Sequence, residues 1–102
     1  MNASFLQPYL HEIEGLCRHY QVLRLDVFGS VLRDDFNSAS DVDFLVTFHR
    51  DGDTNTFYQY FDFKEALSKL LHREVELVCA EAIRNHYFKQ EVEATRQPLY
   101  AA

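Results

Sequence analysis

Residues 28–46 read FGSVLRDDFNSASDVDFLV, and this stretch decides the fold that the sequence predicts. A β-rich segment over residues 22–28 ends at Gly29, and a second apolar segment begins at Asp41. The link between them, residues 29–40, contains only about a dozen residues. A parallel strand pair needs about that many residues for the crossover connection alone, and that connection usually contains a full helix. No full helical pattern is visible in this link, so the two strands are predicted to be antiparallel neighbours.

Two aspartates at the start of the second strand predict a metal site. Asp41 and Asp43 share a face because strand side chains alternate, and their Cα atoms lie about 6.6 Å apart. Such a pair suits Mg²⁺, which takes one or two carboxylates together with waters and substrate phosphates. In an antiparallel pair Gly29 and Ser30 lie next to Asp41, where a helical turn beginning at Ser30 directs its positive end at a phosphate. The combination predicts metal-assisted phosphoryl or nucleotidyl transfer.

Each half of this pattern has an ordinary structural interpretation as well. An Asp-x-Asp pair at a strand start is usually a solvated edge, and Gly-Ser after a strand is common. The joint spacing favours the metal site, because the apolar run at residues 44–46 follows the pair directly. Carboxylates in an apolar strand are costly to bury unless they are paired or bound to a metal.

The rest of the chain predicts one sheet with helices around it. Helices are predicted from a capping box at residues 4–7 to Tyr20, over residues 56–72 and over residues 81–95, and strands over residues 22–28, 41–48 and 74–79. A short strand at residues 98–100 is restricted to a sheet edge by its proline. The helical link between the second and third strands permits a parallel pair. The predicted fold class is therefore α/β (α+β), a small mixed β-sheet flanked by helices in a single domain over residues 1–102.

Composition limits the classes of partner and compartment. The chain has 102 residues, 47% hydrophobic content and a net charge of -6, which suits one globular domain and makes duplex nucleic acid a poor partner. The sequence lacks an apolar run of membrane-spanning length and a signal peptide pattern. Cys17 and Cys79 lack metal-ligand spacing, which favours small buried thiols in a reducing cytoplasm.

An aromatic cluster at residues 57–63, FYQYFDF, is too large for one helix face to bury. Tyr60 and Phe63 continue an apolar stripe that belongs to the core. For Phe57, Tyr58 and Phe61 two interpretations stay open. They are either exposed, which is typical of a surface that binds a partner, or covered by the first helix.

The stretch at residues 28–46 resembles the nucleotidyltransferase motif of the DNA polymerase beta superfamily. In particular it is similar to the minimal nucleotidyltransferases (MNT), antitoxins paired with HEPN-domain toxins. That motif is Gly-Ser, a spacer and Asp-x-Asp, often with an arginine three positions after the serine, where Arg33 lies. A third acid follows on a later strand, and Glu76 in Val75-Glu76-Leu77-Val78 occupies that place, where the family usually has aspartate. The segment IRNHYFKQEVEATRQPLY at residues 83–100 also resembles the usual ending of these proteins.

The resemblance implies a nucleotidyltransferase fold and a role for each matching residue. It implies that AMP is transferred from ATP to a hydroxyl group, in particular that of a tyrosine on a HEPN toxin, and that the reaction depends on Mg²⁺. The catalytic and metal-binding residues it implies are Asp41, Asp43 and Glu76, and the nucleotide-binding residues are Gly29, Ser30 and Arg33.

A second function of another class stays open at this stage. A non-catalytic antitoxin that neutralises its toxin by stoichiometric binding needs only the fold, an acidic surface and the aromatic cluster. The glutamate at position 76 and the acidic pair Asp34-Asp35, where the family often has glycine after the arginine, favour this alternative. The intact Gly-Ser and Asp-x-Asp motifs favour the enzyme. The sequence leaves open the nucleobase, the number of nucleotides transferred, the acceptor residue, and whether the protein forms a homo-oligomer or a hetero-oligomer with the toxin.

Overall fold

The structure is a computed structural model that describes residues 4–29, 37, 40–49 and 56–102. The elements, in chain order, are a 3-10 segment Ser4–Tyr9, α1 (Leu10–His19), β1 (Val22–Phe28), β2 (Val42–Phe48), α2 (Thr56–Leu71), β3 (Val75–Cys79), a 3-10 segment Ala80–Ala82, α3 (His86–Thr95) and β4 (Gln97–Ala101). The helical turn predicted at residues 30–33 and most of the two predicted loops lie outside the described residues.

The four strands form one mixed sheet in the order β3-β2-β1-β4. β1 pairs antiparallel with β2, which confirms the prediction drawn from the short link between them. β2 pairs parallel with β3 across the longer helical link, as predicted. β4 pairs antiparallel with β1 at the sheet edge, where Pro98 is tolerated.

The two faces of the sheet have different environments. The face toward α1 and α2 is here called the core face. Alternating strand residues on this face pack against buried residues of the helices. The strand and helix residues of this core are Leu6, Ile13, Cys17, Leu25, Val27, Val42, Phe44, Val46, Phe63, Leu67, Leu71, Val75 and Leu77. The opposite face, here called the α3 face, carries Phe28 and Leu45, which pack with Val92 of α3. The apolar run at residues 44–46 is therefore buried on both faces, as predicted.

Two helix boundaries differ from those predicted. The first α-helix begins at Leu10, because Pro8 lacks an N–H and its ring disfavours an α-turn, so the preceding residues form a 3-10 segment. The third begins at His86 rather than at residue 81. Asn85 is extended, and its side chain accepts a hydrogen bond from the Phe88 N–H at 3.0 Å. This N-cap starts the helix anew after the 3-10 segment.

Helix α3 begins at a local cap and is held on the α3 face by its last turn and its C-cap. At its start Asn85 provides the cap, and in its last turn Val92 is buried against the sheet. At its C-cap, Arg96 reaches the buried carboxylate of Asp26 on β1, with Nε 3.1 Å from Oδ2. Arg24 Nε lies 3.1 Å from the other carboxylate oxygen, so this buried charge is paired from two sides. The position of α3 over the sheet is thereby determined by an apolar contact and an ion pair.

Of the two cysteines predicted to be buried, Cys17 is buried and Cys79 is half-buried. Cys17 and Cys79 carry thiols rather than disulfides. Burial, with a smaller contribution from the charge of Glu14, raises the pKa of Cys17 to about 12, so this thiol stays neutral at physiological pH. No helix within the described ranges combines the length and the apolar character that a membrane span requires.

Candidate active site

Three strands place a row of side chains on the α3 face near one end of the sheet. Phe28 is the register partner of Asp43 in the antiparallel pair, and Asp43 is the register partner of Glu76 in the parallel pair. Directly paired residues project from the same face of a sheet, and neighbouring strands lie about 4.8 Å apart. The carboxylates of Asp43 and Glu76, distant in sequence, are therefore neighbours in space.

Gly29 lies directly against the Asp43 carboxylate. Its φ is +73°, a left-handed conformation that glycine adopts without strain. A Cβ atom at this position would lie 2.4 Å from Oδ2 of Asp43, closer than any side chain tolerates. The missing side chain thus creates the space that the carboxylate occupies. The glycine of the Gly-Ser motif therefore contacts the second aspartate of Asp-x-Asp, whereas the sequence predicts Gly29 and Ser30 beside the first, Asp41. The difference comes from the register, which pairs Phe28 with Asp43.

Asp41 lies just outside β2, which begins one residue later than predicted. Its loop is held by Arg73, whose Nη1 donates to the carbonyl oxygens of Asn37 at 3.1 Å and Ser40 at 3.0 Å. The Arg73 guanidinium also stacks 4.5 Å above the centroid of the Phe5 ring. Asp41 is exposed on this loop two residues before Asp43. Arg73 was not among the predicted site residues, although it contacts the segment that leads to Asp41.

A cleft of about 390 Å³ opens at this end of the α3 face, a size typical of sites for small ligands. Gly29 lines it at the end of β1, and the acidic residues Asp43, Glu76 and Glu91 face it from two strands and α3. Its apolar lining consists of Phe28, Val78 and Phe88.

Of the six predicted site residues, the structure brings Gly29, Asp43 and Glu76 into the cleft. Asp41 is nearby in sequence but does not contribute to the lining as described, and Ser30 and Arg33 lie outside the described residues. Sequence reasoning missed Phe88 and Glu91. Phe88, Glu91 and the buried Val92 are spaced at i, i+3 and i+4, which puts all three on one helix face. This spacing was the sequence pattern that could have indicated both residues.

The donor set of the cleft fits Mg²⁺. Among residues 4–29, 37, 40–49 and 56–102, no three acidic, histidine or cysteine side chains are grouped closely enough to hold a metal ion by themselves. Mg²⁺ does not need such a cage, because it keeps several waters and is bound by one or two carboxylates plus substrate phosphates. Asp43 and Glu76, adjacent on one face, supply oxygen ligands of this kind.

Comparison with known proteins decides the family. The family model of the nucleotidyltransferase domain matches residues 13–99, a span that contains all six predicted site residues and α3. The chain belongs to this nucleotidyltransferase family. The resemblance inferred from the Gly-Ser and Asp-x-Asp motifs is thereby confirmed. A relative of this nucleotidyltransferase from Methanocaldococcus jannaschii, named as a proposed protein adenylyltransferase, is 36% identical over 74 residues, which cover 72% of each protein.

Solved structures share the fold of this nucleotidyltransferase. One, described as a proposed minimal nucleotidyltransferase, matches with a TM-score of 0.75 at 28% identity and covers 96% of both chains. A chain of a second, described as a tri-AMPylated HEPN toxin from Shewanella oneidensis in complex with MNT antitoxin, matches with a TM-score of 0.64 at 21% identity. That match covers 94% of this chain and 72% of the other. The small mixed sheet flanked by helices is therefore the fold of the minimal nucleotidyltransferases, as predicted.

Proposed function

We propose that this nucleotidyltransferase transfers AMP from ATP to a hydroxyl group of a partner protein in the cytoplasm. The observation that carries the proposal is the contact of Gly29 with the Asp43 carboxylate beside Glu76, in a cleft large enough for a nucleotide. The glycine lets the Asp43 carboxylate lie against the backbone, and the carboxylates supply ligands for the cation that a phosphate requires. The name of the M. jannaschii relative supports a protein as the acceptor.

The negative charge of the cleft requires a cation such as Mg²⁺ for a triphosphate to bind. Asp43, Glu76 and Glu91 line one small volume, and a triphosphate entering it would be repelled by three carboxylates. A divalent cation held by Asp41, Asp43 and Glu76 would neutralise this repulsion and polarise the reacting phosphate. Gly29, Ser30 and Arg33 would bind the remaining phosphate oxygens.

The proposed reaction is a displacement at the α-phosphorus of ATP. The acceptor hydroxyl oxygen forms a bond to this phosphorus while the bond from it to the oxygen leading to the β-phosphate breaks. Pyrophosphate leaves with the electrons of the broken bond, and the hydroxyl proton passes to a carboxylate, for which Glu76 is the proposed acceptor. The protein's contribution is to align the two oxygens and to stabilise the developing charge.

The proposed acceptor is a tyrosine of a HEPN toxin. The solved complex with the same fold contains an AMPylated HEPN toxin, which supports this class of partner. The acidic character of this chain, with a net charge of -6, would speed its encounter with a basic toxin. The alternative function, neutralisation by stoichiometric binding alone, is an outcome of the same test.

Intact-mass spectrometry of the toxin tests the proposed function. A HEPN toxin is incubated with this protein, ATP and Mg²⁺, and the expected result is a mass gain of one or more AMP units. The toxin should stay inactive after this protein is removed, and the Asp41→Asn/Asp43→Asn double variant should give no gain. An unchanged toxin mass at saturating ATP and Mg²⁺, with toxin activity restored on separation, would instead support neutralisation by binding.

Glu76 is predicted to be a metal ligand, and two substitutions test this role. Glu76→Gln should weaken Mg²⁺-dependent ATP binding by roughly 10-fold or more, since even a residue that only supports a metal ligand contributes about that much. Glu76→Asp should be tolerated or should raise transfer, because it restores the ligand that the family usually has. Titrations of ATP at several Mg²⁺ concentrations measure the effect, with Glu65→Gln as a control at an exposed glutamate that pairs with Lys69. If both Glu76 variants bind and react like the parent, Glu76 is an ordinary surface acid.

The aromatic cluster on α2 is predicted to contact the partner protein. Phe57, Tyr58 and Phe61 are 64%, 63% and 48% exposed, so α1 does not cover them, and the Phe57 and Phe61 rings lie 4.7 Å apart. Tyr58→Ala or Phe61→Ala should weaken the toxin complex by about 2 kcal/mol, roughly 30-fold in Kd, if these rings are the centre of the interface.

Calorimetry or surface plasmon resonance with the toxin measures this change. ATP binding should be unaffected, because the aromatic cluster does not line the cleft. Leu23→Ala, at another exposed apolar residue, is the control. Unchanged affinity in both α2 variants would remove this surface from the interface.

A further inference from the structure

One wall of the cleft is apolar, and neither the metal nor the phosphates would use it. Phe28 and Phe88 form this wall, with ring centroids 6.0 Å apart and the rings inclined at 70°, an edge-to-face contact. Phe88 lines the cleft and keeps 36% of its surface exposed. An exposed aromatic ring beside a cluster of carboxylates suits a ligand that is planar and apolar at one end and is bound at the other end through a cation that the carboxylates hold.

The backbone of α3 that carries Phe88 is fixed before any ligand binds, and its ring already contacts Phe28. Its own backbone N–H donates to the Asn85 side chain at the N-cap, and Val92, one turn later, is buried against the sheet. The far end of α3 is tied to β1 by the ion pair of Arg96 with Asp26. A ligand that packs on Phe88 would therefore lose little free energy to ordering of the protein.

We infer that Phe88 is the platform on which the nucleobase of the nucleotide donor stacks, with Phe28 supporting the ring from its edge. This inference rests on the proposed function, which puts the phosphates at Gly29 and the carboxylates of the same cleft. A nucleotide has the two unlike ends that the cleft offers, and its base has a flat face to match an aromatic side chain. Because every base has such a face, stacking on Phe88 contributes affinity for any nucleoside triphosphate.

The test compares ligands that do and do not carry a base. Binding of ATP and of inorganic tripolyphosphate, each with Mg²⁺, is measured by calorimetry for the parent protein and for Phe88→Ala, Phe88→Leu and Phe88→Trp. Phe88→Ala should raise the Kd for ATP by about 5- to 150-fold, the range of a lost base–aromatic stack, and leave tripolyphosphate binding unchanged.

The other two variants separate stacking from packing. Phe88→Leu keeps an apolar side chain against Phe28 but should lose most of the ATP affinity, whereas Phe88→Trp should retain it. Tyr87→Ala is the matched control, because this neighbouring ring is 81% exposed and does not line the cleft. Thermal unfolding of each variant identifies any variant that fails to fold. If Phe88→Ala fails to fold, the comparison of ATP affinity between Phe88→Leu and Phe88→Trp tests the inference.

Three results would overturn the inference, and they differ from failure of the proposed function. Unchanged ATP binding in Phe88→Ala excludes stacking of the base on this ring. If transfer to the toxin falls in that variant while ATP binding is unchanged, the ring contacts the acceptor instead. Equal weakening of ATP and tripolyphosphate, or full ATP affinity in Phe88→Leu, indicates a structural role only. If the parent protein binds neither ATP nor tripolyphosphate with Mg²⁺, the proposed function fails and this inference with it.

Discussion

Asp43→Asn is expected to lower the rate of AMP transfer by roughly 100-fold or more, because it removes the charge of a proposed metal ligand at the reacting phosphate. The substitution keeps the size of the side chain, so the contact with Gly29 is preserved. The fold should survive, and the melting temperature should stay equal or rise. Asp43 shares the cleft with Glu76 and Glu91, and removing one of three like charges relieves their repulsion.

Two measurements separate these effects. Transfer is followed as mass gain on the toxin under single-turnover conditions, and stability is followed by thermal unfolding without ATP or Mg²⁺. Asp62→Asn is the control, because Asp62 is an exposed aspartate on α2 outside the cleft lining. Full transfer activity in Asp43→Asn would remove this carboxylate from the mechanism, whatever the outcome for Glu76.

Gly29→Ala is expected to impair both stability and transfer. A non-glycine residue at φ +73° costs about 1–2 kcal/mol, and the new Cβ would lie 2.4 Å from Oδ2 of Asp43. The carboxylate must therefore move, and displacement of a reacting group by about 1 Å can lower a rate roughly 100-fold. The effect on transfer should far exceed what the loss of stability explains at a temperature where the variant is folded.

Gly15→Ala is the matched control for this substitution. Gly15 lies in α1, and a Cβ atom there meets nothing within 4 Å. Alanine in a helix interior is favoured over glycine by about 0.5–1 kcal/mol, so Gly15→Ala should stabilise the protein and leave transfer unchanged. If Gly29→Ala transfers AMP at the parent rate, the position of the Asp43 carboxylate against the backbone is irrelevant to the reaction.

The helix boundaries show where local sequence signals compete. The pattern after β3 predicts one helix from residue 81, but Asn85 caps a new helix instead and turns Phe88, Glu91 and Val92 toward the sheet. Both signals are present in the sequence, and the Asn85 cap prevails. The cap satisfies a backbone N–H at the start of the helix, and burial of Val92 against the sheet adds to the stability of that helix.

Some features of this protein follow from the sequence by itself, because they depend on short stretches of chain. The short link after Gly29 makes β1 and β2 antiparallel, Pro98 restricts β4 to an edge, and the spacing of Gly-Ser and Asp-x-Asp identifies the family. These follow from chain connectivity and backbone geometry, which do not require knowledge of distant residues.

Other features were decided only by the tertiary structure. The pairing of Asp43 with Glu76 depends on the register between β2 and β3, and a slip of one residue would turn Glu76 to the other face. The apolar wall depends on where α3 lies, which a buried valine and the Arg96 to Asp26 ion pair determine. Contacts between residues far apart in the chain arise from packing and register, and the local periodicity of the sequence determines neither of them.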